Sequence, residues 1–226
     1  MACNTDFSIF RISKTEHVAT SARKYRTLRL DALAASPASF ASTQEIESAF
    51  TNEEWIRSIT SPERETFICA ATSLPGPMNM SWVGQVTLLG PLSQEPLPEN
   101  HTGTSESVVS GHGDGDGDER WQMLSLFTFP EYRGQGLGVK LCQEVIQFVK
   151  GYRSRPETAQ LDLIVKAKNT PAIRLYERLG FRHVRRCTLV EALVANGDGH
   201  LLPPDRSAPK YTELTGLVMR MVISRQ

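Results

Sequence analysis

The chain has 226 residues, 40% of them hydrophobic, and 25 basic residues balance 25 acidic ones. That is enough apolar content for one sizeable core, and no aromatic-rich basic cluster points to nucleic acid. No apolar run reaches the roughly 18 residues of a membrane span, and the first residues lack the basic and apolar segments of a secretory leader.

Cys3, Cys69, Cys142 and Cys187 lie without pairs at metal-ligand spacing. They read as reduced thiols, so no metal site is expected, and the expected location is cytoplasmic with the nucleus open.

Phe7 to Ile12 reads as a short strand. Thr15 to Ala35 carries Val18, Ala22, Tyr25, Leu28, Ala32 and Leu33 at helical spacing and stops before Ser36-Pro37. Two capping-box patterns, Ser42-Thr-Gln-Glu45 and Thr51-Asn-Glu-Glu54, announce one or two short helices up to Ile59. Thr66 to Ala71 and Ser81 to Leu88 are strand-like, joined through the turn-rich Leu74-Pro-Gly-Pro77.

The stretch 91–119 contains seven carboxylates and no Lys or Arg, which leaves the rest of the chain with about +7. It is too poor in large apolar residues to offset its ordering entropy, so a disordered acidic insert in a single domain spanning 1–226 is expected. Asp114-Gly-Asp-Gly-Asp118 begins like a calcium loop, but Glu119 and Ser125 stand where Gly and Glu are needed. A solvated acidic loop is the better description.

Trp121 to Phe129 is a nearly continuous apolar run, as expected of a central strand covered on both faces. Arg133-Gly-Gln-Gly-Leu-Gly138 follows, and then a helix with Leu137, Leu141, Val145, Phe148 and Val149 along one side. Gln160 to Val165 is the next strand. Thr170-Pro171 opens another helix, with Thr170 as cap, Ala172, Leu175, Tyr176 and Leu179 as buried stripe, and Gly180 as left-handed stop. Val184 to Val194 and Leu214 to Ile223 are strand candidates around a Gly/Pro-rich loop from Asn196 to Lys210.

The glycine turn is where chemistry enters. Residues without Cβ let main-chain amides approach a ligand, and the helix that starts there adds unpaired N–H groups and a positive dipole end. With the Arg133 cation alongside, the turn suits an anion such as a pyrophosphate. A P-loop would need Lys and a hydroxyl after the last glycine, whereas Val139-Lys140-Leu141 follow Gly138. A dinucleotide fold would need a different glycine spacing and a carboxylate ending the next strand, where Lys166-Ala-Lys168 stands.

The run Leu126-Phe-Thr-Phe-Pro-Glu-Tyr-Arg-Gly-Gln-Gly-Leu-Gly138 resembles the signature of the GNAT superfamily of acetyltransferases: a strand, then Arg/Gln-x-x-Gly-x-Gly/Ala, then a helix. About thirty residues on, Asn169-Thr-Pro-Ala-Ile-Arg-Leu-Tyr-Glu-Arg-Leu-Gly-Phe181 resembles the second signature, Asn-x-x-Ala-x-x-Leu-Tyr-x-x-x-Gly-Phe. The resemblance covers nearly the whole chain outside the acidic insert. It implies an α/β fold with a mixed, mostly antiparallel sheet flanked by helices and splayed between its fourth and fifth strands. It further implies acetyl-CoA as cosubstrate and an amine on a small molecule or peptide as acceptor, handled by a monomer or homodimer. A module on the same fold that binds coenzyme A without catalysis is the alternative.

By that resemblance the pyrophosphate sits on amides of Arg133, Gly134, Gln135, Gly136, Leu137 and Gly138. The pantetheine arm runs along Leu126, Phe127 and Thr128, and Asn169 and Ala172 line the coenzyme. Tyr176 matches the phenol that protonates the leaving thiolate, although a tyrosine on a buried stripe can equally be a packing residue. The base that accepts the amine's proton is left unassigned among Asp162, Glu131, Glu65 and His183. The acceptor region is expected in the variable segments Ser36 to Ile59 and Asn196 to Lys210.

Overall fold

A computed structural model describes residues 5–73, 80–92 and 119–225. The predicted turn at Leu74–Pro77 and residues 93–118 of the acidic insert lie outside the described residues. The insert's two ends do not: Pro91 and Leu92 finish one strand and Glu119 begins the next, so regular structure extends further into 91–119 than its composition suggested.

Seven strands form one sheet in the order β1-β2-β3-β4-β5-β7-β6. They are β1 (Thr5–Arg11), β2 (Arg64–Ser73), β3 (Met80–Leu92), β4 (Glu119–Thr128), β5 (Thr158–Lys166), β6 (Arg182–Cys187) and β7 (Gly216–Ser224). Every neighbouring pair is antiparallel except β4 and β5, which are parallel. Parallel neighbours need a crossover, and α4 (Leu137–Gly151) supplies it. The other helices are α1 (Val18–Ala35), α2 (Gln44–Ser48), α3 (Asn52–Thr60), α5 (Thr170–Leu179), α6 (Leu189–Ala195) and α7 (Pro209–Thr212).

The two faces of the sheet are covered differently. On one face Leu137, Leu141, Cys142, Val145 and Val149 of α4, with Tyr176 of α5, close over Phe67, Cys69, Trp121 and Met123. On the other face Tyr25 and Leu28 of α1 and Trp55 and Ile59 of α3 pack on Ile12 and Ile68. Among the described residues no helix is long and apolar enough to cross a membrane.

Local chemistry moves several predicted boundaries. The first helix starts at Val18 rather than Thr15, because the Ser13 hydroxyl accepts the amides of Thr15 (3.3 Å) and Glu16 (3.0 Å) and holds them in a turn. Thr43, not Ser42, caps α2, whereas the box at Thr51 and Glu54 forms as expected. The strand predicted from Val184 to Val194 breaks at Thr188. There the Thr188 hydroxyl takes the Glu191 amide at 3.2 Å and Glu191 takes the Thr188 amide at 2.8 Å, a reciprocal cap that starts α6.

Asn169, not Thr170, caps α5: its Oδ1 accepts the amide of Ala172 at 3.3 Å. A short side-chain oxygen one residue earlier in the chain reaches the third amide of the helix, and Thr170 becomes the first helical residue.

Candidate active site

The strand expected from Trp121 to Phe129 is present as β4, but it carries a bulge. Gln85 of β3 faces Phe127 and Thr87 faces Leu124, so two residues of β4, Ser125 and Leu126, oppose the single Val86. Ser125 has φ 58°, a left-handed value that a non-glycine residue rarely holds without support. A one-residue bulge exchanges the faces of everything beyond it. Trp121 and Met123 point to the α4 face, yet Phe127 is turned to the other, where it packs with Ala32, Leu33 and Phe40.

Beyond the bulge β4 also loses its parallel neighbour. The β4–β5 ladder runs from Glu119 and Ala159 to Met123 and Leu163 and stops, although both strands continue. The sheet therefore opens into a wedge alongside Leu126, Phe127 and Thr128.

At the wide end of the wedge lies the glycine turn. Gly134 (φ 80°) and Gly136 (φ 74°) both take the left-handed conformation, and a Cβ on either would meet no atom within 4 Å, so the turn faces open space. Gly136 precedes α4, whose first intrahelical bond is Lys140 N to Gly136 O at 3.1 Å. The amides of Leu137, Gly138 and Val139 are accordingly among those a helix leaves without an internal acceptor. Gly138 serves packing instead: a Cβ there would stand 3.2 Å from Leu175 of α5.

Arg133 is placed differently from its expected position in the cradle. Its Nε donates to Thr128 O at 3.1 Å, its Nη2 donates to Ser36 Oγ at 3.3 Å, and its amide donates to Pro130 O at 3.2 Å. The guanidinium therefore braces the end of β4 against the loop after α1. Gln135 is exposed on the turn. The Ala172 amide is taken up by Asn169, so that residue's main-chain donor is already used.

Tyr176 is 8% exposed and stacks edge-on against Phe181, with ring centroids 5.8 Å apart. Burial, with the Cys142 thiol nearby, raises its phenol well above the ordinary range. The group stays protonated under ordinary conditions.

On the opposite side of β4 a cleft of about 410 Å³ opens between α1, α3 and the segment after α6. An adjoining pocket of about 100 Å³ reaches into the wedge between Leu124 of β4 and Ile164 of β5. Arg29, Leu124, Ser125 and Asp198 line both. Arg29 is buried, donates from Nε and Nη2 to the Glu47 carboxylate at 2.8 and 2.6 Å, and from Nη1 to Ser125 Oγ at 3.2 Å. Its cation stands 4.6 Å from the Phe40 ring. Neither Arg29 nor Ser125 is among the site residues expected from the sequence, although an arginine beside the buried stripe of α1 is the kind of exception to a pattern that marks such a site.

The predicted base candidates scatter. Asp162 is held by Arg220 at 2.7 and 2.8 Å, and Glu65 is paired with Lys14 at 2.6 Å. Glu131 and His183 are exposed, on a 3₁₀ turn and on the edge strand β6.

Residues 102–181 match the sequence model of the acetyltransferase (GNAT) family. A mycothiol acetyltransferase of Acidothermus cellulolyticus is 36% identical over 98 residues, which are 43% of this chain and 28% of that protein. The catalytic subunit NAA20 of the N-terminal acetyltransferase B complex of Arabidopsis thaliana is 36% identical over 81 residues, 34% of this chain and 44% of that one. The chain thus spans less than half the length of either relative. Among solved structures, Arabidopsis thaliana NAA60 in complex with acetyl-CoA superposes with TM-score 0.58 at 19% identity, over 96% of this chain and 99% of that one. A GNAT acetyltransferase from Streptococcus pneumoniae superposes with TM-score 0.56 at 15% identity, over 97% and 100%. At such identities the likeness concerns the fold.

Proposed function

We propose, from the premise that this chain carries the matched GNAT segment and the GNAT fold, that it transfers an acetyl group from acetyl-CoA to a primary amine of a small molecule or peptide. The observation that carries this reading is the open turn at Gly134 and Gly136, set at a helix N-terminus beside a sheet whose strands part. Acetyl-CoA supplies the activated acyl carbon. The amides from Gly134 to Gly138 receive its diphosphate, and the parted edge of Leu126 to Thr128 offers main-chain groups to the arm that follows. Asn169 holds the start of α5 in place beside that path, and Arg133 keeps the end of β4 braced.

Tyr176 donates the proton that the departing thiolate needs, and its raised phenol pKa keeps that proton in place at any ordinary pH. The acceptor enters from the other face through the cleft between α1, α3 and the segment after α6. Cytoplasmic residence belongs to this reading, as does a single domain whose turnover does not require the acidic insert.

Calorimetry with acetyl-CoA and thiol release with a panel of amines test the two halves. Tight binding with no thiol release from any amine would favour a non-catalytic coenzyme-binding module. No affinity for acetyl-CoA would end the proposal.

A further inference from the structure

Acetylation of an ammonium group requires a proton acceptor on the acceptor's side of the thioester. An amine such as lysine has a pKa of about 10.4 and is mostly charged at neutral pH. Of the carboxylates bordering the cleft, Glu47 is committed to Arg29, and Glu54 to the cap of α3, where its Oε2 takes the Thr51 amide at 2.6 Å. Asp162, which borders a separate pocket, is committed to Arg220.

We propose that Asp198 is the group that takes the proton of the incoming amine, an assignment that rests on the acetyltransferase reading above. Asp198 lines both the main cleft and the pocket that runs into the wedge between β4 and β5, beside Ser125 of the bulge. It is the carboxylate common to the two spaces that an acceptor and a thioester would have to share.

Its position is fixed by the end of α6. Gly197, with φ 77°, donates to Val194 O at 3.0 Å, and the Asp198 amide donates to Leu193 O at 2.8 Å. The preceding Asn196 is anchored to β4 by Gln122 Nε2 at 3.2 Å. The side chain is about a quarter exposed, and its nearest ion-pair partner, Arg64 Nη2, is 3.9 Å away, beyond hydrogen-bond reach.

The charged surroundings come from six elements. Arg64 of β2 and Arg29 of α1 favour the carboxylate, as does His200 of the following 3₁₀ turn, while Glu47 of α2 opposes it. Lys166 of β5 borders the same pocket, and Glu54 and Arg57 of α3 border the cleft. Burial outweighs the favourable charges, so the carboxyl is raised above its ordinary value. A base must be ionised to act, so activity rises with pH through that raised value, and the rise lies closer to neutrality than for a solvated aspartate.

The step balances as follows. The ammonium N–H bond breaks and its proton goes to Asp198, which later releases it to water. The freed amine nitrogen forms a bond to the thioester carbon, and the C–S bond breaks. The thiolate takes the Tyr176 proton, and the phenol is restored by the second proton leaving the new amide nitrogen.

The test compares full-length wild type, Asp198→Asn and Asp198→Glu. Thiol release from acetyl-CoA is followed from about pH 6 to about pH 9.5 with primary amines ranging from a diamine to short peptides with free N-termini. The Kd for acetyl-CoA and the Tm are measured beside it. Asp198→Asn should lower kcat by about 10²-fold while leaving the acetyl-CoA Kd unchanged. Its residual rate should climb about tenfold per pH unit toward the amine's own pKa, and Asp198→Glu should recover part of the loss.

A wild-type profile reproduced by Asp198→Asn, while both turn over, overturns the role of Asp198 alone. A wild type that binds acetyl-CoA yet releases no thiol overturns the transfer reading and this role with it. Loss of Tm in Asp198→Asn together with full recovery in Asp198→Glu at an unchanged pH profile would mark a structural residue and also overturn it.

Discussion

Arg29 of α1 and Glu47 of α2 are buried together, joined by two hydrogen bonds of 2.8 and 2.6 Å, and the same guanidinium reaches Ser125 Oγ at 3.2 Å. A buried pair of this kind is costly to break from one side, because the surviving charge stays desolvated. Glu47→Gln should therefore lower stability by about 3–5 kcal/mol in denaturant unfolding. It should also loosen the bulge that Arg29 supports, so acceptor KM should rise even at temperatures where the protein remains folded.

Gly136→Asp separates folding from binding. The new side chain enters open space, and aspartate is among the residues that tolerate a left-handed φ. Circular dichroism and Tm should stay near wild type, whereas acetyl-CoA binding by calorimetry should disappear, since a negative charge would occupy the place proposed for the diphosphate. Binding preserved in this variant would move the site away from the turn.

Tyr176→Phe keeps the ring against Phe181 and removes only the hydroxyl. We expect kcat to fall by about 10²-fold or more with little change in Tm. Because burial holds the phenol well above its ordinary range, no loss of activity attributable to Tyr176 ionisation should appear below about pH 10. A decline near neutrality that Tyr176→Phe abolishes would contradict the donor role.

Sequence and structure agree where one periodicity governs and part where two effects compete. The stripes of α1, α4 and α5 and the stop at Gly180 were readable because each follows from spacing or from a single conformational need. Thr188 and Ser125 mark the opposite case. Val184 to Val194 is apolar and β-favouring enough to pass for a strand, and only the pairing of Thr188 with Glu191 turns its second half into α6. The bulge at Ser125 leaves no trace in hydropathy because it shifts the register without changing composition. The cleft and the placement of Asp198 depend on those two features, so the segments that line the cleft were legible in the sequence but the individual residues Ser125 and Asp198 were not.

Glu119 predicts the acid behaviour of the fold. Its carboxylate is buried, is joined by Arg225 and Arg153, and accepts Trp121 Nε1 at 2.6 Å. Burial raises its pKa, but the Arg225 and Trp121 hydrogen bonds and the arginine charges outweigh this and hold it below the ordinary carboxylate value. A depressed folded pKa contributes stability that is complete above the unfolded value of about 4.3 and lost as pH falls through the lower folded one. Glu119→Gln should cost stability at pH 7 and flatten the acid limb of a Tm-against-pH curve. An unchanged limb would assign acid unfolding to other carboxylates.

The insert can be tested by excision. Leu92 and Arg120 face each other across the β3–β4 ladder, so the two strand ends are neighbours that a tight hairpin can join. Replacing residues 94–118 by an Asn-Gly turn should leave Tm and thiol release within about twofold of wild type. Lost turnover would make the acidic segment part of the catalytic machinery.

The early end of the β4–β5 ladder at Met123 and Leu163 has a bearing on how the protein could be followed in solution. It gives the sheet an internal rim, where main-chain groups of 124–128 on the β5 side face a gap instead of a strand. A bound molecule that bridges this rim would act as a missing strand, and amides there would slow their hydrogen–deuterium exchange on occupancy. Exchange along 124–128, compared with the fully paired β2, would thus serve as a gauge of whether the gap is filled, independent of any turnover.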